Sequence, residues 1–158
     1  MSVAFTKEQD SEAAAADLPD RPVSPHPNLV TASGLARIEA ELAAARAAYS
    51  AAQGGDVNAD RTAMARATRD LRYWSVRRSS AQLVEPEQGT GKVVFGSSVT
   101  FERDDGRTQT YRMVGEDEAD PAKGCVSYVS PLARALMGKE VGDLAVVAGH
   151  EVEITAVD

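Results

Sequence analysis

Cysteine is almost absent. One residue, Cys125, stands in 158 positions, so the chain cannot close an internal disulfide. His26 and His150 are the two histidines, too far apart to give zinc-ligand spacing or a base for a nucleophile. Cys125, in an expected strand, therefore reads as a small buried hydrophobe. Aromatic residues make up 5% of the chain, so any core must be mainly aliphatic. No apolar run approaches the ~20 residues needed to span a bilayer. Basic charge is outweighed: 17 Lys and Arg stand against 24 Asp and Glu, a net charge of −7. That balance argues against free duplex DNA as a partner of the whole molecule, since phosphate binding needs concentrated positive charge. Met1 to Glu8 lack the basic-then-apolar order of a secretory signal, and the expected location is the cytoplasm.

What is present is unevenly spread. The hydrophobic content of 43% and charged content of 26% are ordinary for a globular chain. Residues 1–28 hold two basic and five acidic side chains, residues 29–85 eight and six, and residues 86–158 seven and thirteen. The first segment reads as a disordered or loosely docked tail. Glu12 to Asp17 can form a passing helical turn, but Pro19, Pro22, Pro25 and Pro27 forbid regular helix or central strand.

Residues 29–85 read as an antiparallel helical hairpin, a coiled coil folded on itself. Thr31 or Ser33 can cap the first helix, with Val30 placed to pack back on its first turns. Leu35, Ile38, Leu42, Ala45, Tyr49 and Ala52 then recur in steps of three and four. Gln53-Gly54-Gly55-Asp56 breaks the pattern, and Asp56 or Asn58 can cap a second helix. Its seam is Met64, Ala67, Leu71, Trp74, Arg78 and Ala81. Arg78 in a seam implies a half-open base, or a stem lying on apolar surface with its charge in water. The first arm, about 22 residues at ~1.5 Å each, spans about 33 Å. The tight Gly-Gly break favours pairing within one chain, hence a monomer. Arg66, Arg69, Tyr73 and Arg77 fall on one stripe of the second helix. They form either a solvated face with local pairs such as Arg66–Asp70, or a basic face near nucleic acid in a larger assembly.

Residues 90–158 carry β patterning. Residues 92–95, 97–103, 108–114, 124–129, 144–148 and 150–157 read as strands. Asp104-Asp105-Gly106 is a hairpin-turn signal. Ser130 and Pro131 can open a short helix through Leu132, Ala133 and Leu136, and Gly138 can end it in a left-handed conformation. The fold class is α+β: the helical hairpin, then a small antiparallel-dominated sheet with one short helix.

Three blocks carry a family resemblance. Ser130-Pro131-Leu132-Ala133-Arg134-Ala135-Leu136-Met137-Gly138-Lys139-Glu140-Val141-Gly142-Asp143, Gly91-Lys92-Val93-Val94-Phe95-Gly96-Ser97-Ser98-Val99 and Val114-Gly115-Glu116-Asp117-Glu118-Ala119-Asp120-Pro121 resemble the C-terminal half of bacterial Gre (GreA/GreB) transcript elongation factors. The resemblance implies an FKBP-like C-terminal domain that grips the rim of the secondary channel of bacterial RNA polymerase. The segment Ser130, Pro131, Leu132, Ala133 and Arg134 matches part of that grip. It also implies that the protein is no enzyme itself, has no cofactor of its own, and meets nucleic acid only indirectly, within the elongation complex.

In the family, two acidic residues at the tip of the finger help to hold a magnesium ion in the polymerase's active site. Carboxylates suit that task because magnesium prefers hard oxygen ligands. Here Asp56 matches the first acid, Ala59 stands where a glutamate is expected, and Asp60 follows one place later. A shift of one residue on a helix turns a side chain by ~100°. The arms also look shorter than in cleavage-competent members, by roughly two turns or about 10 Å. Both departures argue against ordinary stimulation of transcript cleavage. The resemblance thus implies an RNA polymerase-binding regulator of elongation acting at the secondary channel, any share in the polymerase's magnesium falling to Asp56 or Asp60; the alternative is a factor that occupies the channel and competes with or inhibits cleavage factors. A peptidyl-prolyl isomerase is the distant alternative. Its pocket would have to be built from Phe95, Phe101, Tyr111 and Tyr128, the aromatics of this half.

Overall fold

A computed structural model describes residues 18–54, 60–87 and 89–158. The turn foreseen at Glu12 to Asp17 lies outside the described residues, as does Asp56. The chain divides into two compact units. The first combines Ile38–Ser80 with the segment ending at Pro25, and the second combines His26–Arg37 with Ala81–Asp158.

The first unit is built on helix α1 (Ala32–Gln53) from Ile38 onward and on helix α2 (Asp60–Ser80). The heptad reading of α1 holds in detail: Ile38, Leu42, Ala45 and Ala52 are buried, and Tyr49 is half-buried. On α2, Ala67 and Trp74 are buried, while Met64 and Leu71 are half-buried. The seam thus mixes small alanines with Trp74, which supplies the large apolar surface. Arg78 Nε meets Glu39 Oε1 at 3.0 Å, which shows the end of α2 beside the early turns of α1, as in an antiparallel hairpin.

One seam position differs from the expectation. Arg78 is exposed in that ion pair, whereas Arg77 is buried, at 2% exposure. Both residues fit the repeat, because Arg77 lies three places after Trp74 and Arg78 four, and steps of three and four alternate along a heptad; the folded chain turns Arg77 inward.

Residues 18–25 do not hang free. Arg21 lies over the Tyr73 ring, 4.0 Å from its centroid, and 5.3 Å from that of Trp74. The same guanidinium reaches Asp70 Oδ1 at 3.4 Å, and Arg72 reaches Asp20 at 3.2 Å. The prolines keep this stretch extended, which lets it run along α2 without a helix of its own.

The second unit is a five-stranded mixed sheet in the order β5-β4-β3-β7-β6. Its strands are β3 (Ser98–Arg103), β4 (Thr108–Val114), β5 (Cys125–Ser127), β6 (Leu144–Val147) and β7 (His150–Val157). β3 and β4 form the foreseen hairpin, with Gly106 at φ 81° in the turn. There the Arg107 backbone N–H donates to Asp105 Oδ1 at 3.0 Å, and this bond first of all holds the Asp105 carboxyl below its ordinary range. Two short strands, β1 (Leu29–Val30) and β2 (Gln82–Leu83), pair in parallel in a separate ribbon. Helix α3 (Pro131–Leu136) sets Ala133 and Leu136 into a core with Val99, Phe101, Met113, Val147, Val152 and Ile154.

Two strand expectations are corrected. Residues 92–95 form no strand; Lys92 makes one isolated bridge with Glu140, and Gly96, at φ 86°, turns the chain away. Val93 is buried nonetheless, its N–H donating to Lys139 O at 2.8 Å. The sheet is also not wholly antiparallel, because β5 runs parallel to β4. The connection 115–124 carries the chain back beside Arg112, from where β5 runs along the last three residues of β4.

Candidate partner-binding surfaces

Helix α3 is fixed at both ends. The Ser130 hydroxyl accepts the Ala133 N–H at 3.2 Å, and Pro131 occupies the first turn, where no N–H is needed. Gly138, at φ 82°, ends the helix as expected, and its N–H donates to Val93 O at 2.8 Å. This framing divides the five expected contact residues. Ala133 is fully buried, and Leu132 packs partly against the core. Pro131 and Arg134 face solvent, with Ser130 half-exposed between its cap bond and the surface. A partner at this helix meets a proline ring and a guanidinium.

The stripe on α2 breaks up. Arg66 is exposed, Arg69 is partly covered and lies 3.7 Å from Asp70, Tyr73 sits under Arg21, and Arg77 is buried. Asp70 is held by Arg21 and Arg69, so the expected local pairing partner is already engaged. A groove of about 460 Å³ runs here, lined by Arg21, Val23, Arg69, Arg72, Tyr73 and Val76 among others. The basic face is thus a partly neutralised groove beside residues 18–25, not an open row of charge.

Of the two tip candidates, Asp56 lies outside the described residues, and Asp60 opens α2 with its side chain likewise outside them. Among the described residues, no three His, Cys, Asp or Glu side chains converge to hold a metal ion. No helix among them is long and apolar enough to cross a membrane. Cys125 is free and half-buried in β5, and His150 is exposed at the start of β7. The four aromatics of the second unit are committed to one another. Phe95 meets Tyr128 edge-on at 5.5 Å between centroids, and Phe101 stacks with Tyr111 at 6.0 Å.

One constellation escaped the sequence reading. Glu118, in the loop after β4, accepts hydrogen bonds from the Thr31 and Ser33 hydroxyls, the latter at 2.7 Å. Thr31 in turn accepts the Gly34 N–H at 3.0 Å, which makes it the cap of α1. Tyr128 donates its hydroxyl to Pro27 O. Gly115 lies so near the chain that a Cβ there would stand 2.3 Å from Leu29 O. The block from Val114 to Pro121 thus fastens residues 27–34 within the second unit. The hint available in sequence was an acidic, glycine-led loop and two adjacent hydroxyls, with nothing local to connect them.

Residues 87–158 match the model of a protein family described as transcription elongation factor GreA/GreB, C-terminal. Over 112 residues the chain is 38% identical to transcription elongation factor GreB of Neisseria meningitidis, a match covering 67% of this chain and 69% of the relative. It is 38% identical over 122 residues to transcription elongation factor GreA of Desulfovibrio desulfuricans, covering 76% and 70%. The similarity rises to 51% against GreA of Alkalilimnicola ehrlichii, over 72 residues that cover 44% of this chain and 46% of the relative. Against such higher-identity relatives the match thus spans about half of their length.

Proposed function

The chain belongs to the GreA/GreB family of transcription elongation factors, and from that premise we propose that it binds bacterial RNA polymerase and regulates elongation from the secondary channel. The second unit, an FKBP-type domain on this reading, is the anchor. Pro131 and Arg134, exposed on a helix whose other residues are packed away, are its contact points at the channel rim. The helical hairpin is the part that enters the channel. The factor acts as a soluble cytoplasmic monomer and meets nucleic acid only through the polymerase.

On this reading the protein carries out no chemistry of its own. At most it assists the polymerase's intrinsic RNA cleavage. The tip sequence favours occupancy over assistance: Ala59 supplies no carboxylate, and Asp60 begins α2 one residue later. The helices of 22 and 21 residues give arms of about 33 Å, and a magnesium ligand must come within ~2.1 Å of the ion. An arm about 10 Å too short cannot make up that gap by side-chain motion. The single observation carrying the proposal is the family match across both halves of the chain. An isomerase pocket finds no support, because Phe95, Phe101, Tyr111 and Tyr128 already pack in pairs.

The test is purified protein added to backtracked bacterial polymerase, with binding and RNA cleavage read together. Binding is expected, weakened about tenfold by Arg134→Glu, the equivalent of ~1.4 kcal/mol. Cleavage should not be stimulated, and added cleavage factor should be inhibited. Robust cleavage that is lost in the double variant Asp56→Ala, Asp60→Ala would overturn the occupancy reading. Absence of binding would overturn the whole proposal.

A further inference from the structure

The sheet of the second unit has two faces, and the packing of α3 accounts for one. Ala145 and Val147 of β6 point into the core with Ala133 and Leu136. Their neighbours Leu144 and Val146 point the other way and are 53% and 63% exposed. Val141, just ahead of the strand, is 57% exposed. β6 is an edge strand, and its four residues include no charge and no proline. Proteins usually protect such edges with one or the other.

The register shows what lies beside this apolar edge. Leu144 pairs with Glu153, Glu153 with Glu102, and Val146 with Glu151. Partners across a ladder share a face, so three carboxylates stand beside two exposed aliphatic side chains. Glu102 and Glu153 oppose one another directly, an arrangement that costs stability. Among the described residues none of the three has an ion pair or hydrogen bond. Arg103 lines the same face but makes no ion pair with them; its Nε donates to Gln109 Oε1 at 2.7 Å. A shallow groove of about 270 Å³ crosses this region, lined by Glu102, Arg103, Leu144, Glu151 and Glu153 among others.

We propose that this outward face, from the β6 edge to Glu102, is a docking surface for a basic amphipathic helix of a protein partner. Neighbouring strands lie ~4.8 Å apart, so β6, β7 and β3 together span about 10 Å, roughly the width of one helix. An apolar stripe at i, i+3 and i+4 covers Leu144 and Val146. Lysines or arginines on the flank reach Glu153 and Glu102, whose mutual repulsion they relieve. A second copy of this chain is the wrong occupant, since it would set three glutamates against three on a molecule of net charge −7. A nucleic acid is disfavoured for the same reason. The face points away from α3, so a bound helix leaves Pro131 and Arg134 free.

The probe is a synthetic helical peptide of about 18 residues, with leucines on one stripe and lysines elsewhere, alongside a scrambled peptide of the same composition. Full-length protein is titrated with each, and backbone amide shifts are mapped. Expected are salt-sensitive binding of the patterned peptide alone and shifts confined to β6, β7 and the end of β3. Glu102→Lys with Glu153→Lys should weaken binding at least about tenfold. Leu144→Thr with Val146→Thr should also weaken it, and serves should the charge variant fold poorly. Glu153→Lys should melt no lower than the parent, because it removes an opposed like-charge pair. Equal binding of both peptides, shifts centred on α2 or α3, unchanged affinity in both double variants, or self-association of the peptide-free protein through this face would each overturn the proposal.

Discussion

Thr31 and Glu118 stand 87 positions apart in the chain, and the hydroxyl of the first donates to the carboxylate of the second. The same hydroxyl accepts the Gly34 N–H, so one side chain caps helix α1 and ties it to the loop after β4. Thr31 is 1% exposed, which removes water as a replacement partner. Replacing Thr31 by Ala should cost about 1–2 kcal/mol, the upper range for a lost cap, in urea unfolding. Glu118→Ala should cost a similar amount, and the double variant less than the two together, because both changes remove one shared interaction. Fully additive losses would show that the two residues act separately.

Gly115 is required by space, not by backbone angle. A methyl group there would press on the Leu29 carbonyl at 2.3 Å, and backbone cannot swing aside as a long side chain can. Gly115→Ala is expected to destabilise the second unit by about 2 kcal/mol or more. Hydrogen exchange should show faster exchange at Gln82 and Val84, whose N–H groups donate to Asn28 O and Val30 O. Unchanged exchange at these amides would contradict the close approach.

Arg77 and Arg78 are neighbours in sequence with opposite surroundings. Arg78→Ala removes an exposed pair with Glu39 and should cost under about 1 kcal/mol, less still at high salt. Arg77→Ala removes a buried side chain with a long apolar stem and should cost about 2 kcal/mol or more. Chemical denaturation of the two variants decides the order, and a reversed order would restore Arg78 to the seam.

Trp74 is the single tryptophan, and Arg21 lies beside it and over Tyr73. Arg21→Ala should shift tryptophan emission and lower stability by about 0.5–1 kcal/mol, the range of an exposed cation–π contact. It should also open residues 18–25 to limited proteolysis. An unaltered spectrum and cleavage pattern would mean that this segment is held by its other contacts.

Ser130 caps α3 through the Ala133 amide. Ser130→Ala is expected to cost about 1 kcal/mol, and Ser130→Asp to retain most of the stability, since aspartate caps equally well. Thermal melts of both variants check this. Equal loss in both would assign Ser130 a role other than capping.

Much of this was legible before any coordinates. Ile38, Leu42, Ala45, Ala52, Ala67 and Trp74 are buried as their three-and-four spacing requires. The hairpin of β3 and β4, the long last strand and the capped helix after Ser130 follow likewise from alternation, a turn signal and a hydroxyl beside a proline. The C-terminal residues that carry the family likeness are also those that match the family over residues 87–158. At the candidate contact helix, the sequence named five residues, and burial reduced the exposed ones to Pro131 and Arg134 with part of Ser130. Val93 misled the strand reading, because an apolar residue buried by a single bridge looks the same as one buried in a ladder.

The chain by itself determined most of the side chains that turn inward on the helices and strands, where α1 and α3 start, and which family it joins. Those are properties of neighbours within a few residues, and their periods of 3.6 and 2 are written in the order of residues. Only the tertiary structure decided that Arg77 and not Arg78 is buried, that β5 runs parallel to β4, that Glu118 holds the capping hydroxyl of Thr31, 87 positions earlier, and that three glutamates share an open face with Leu144 and Val146. Each depends on two distant segments meeting in one register. A step of three or four residues after Trp74 looks equally regular in one dimension, and only the packing of the folded chain separates them.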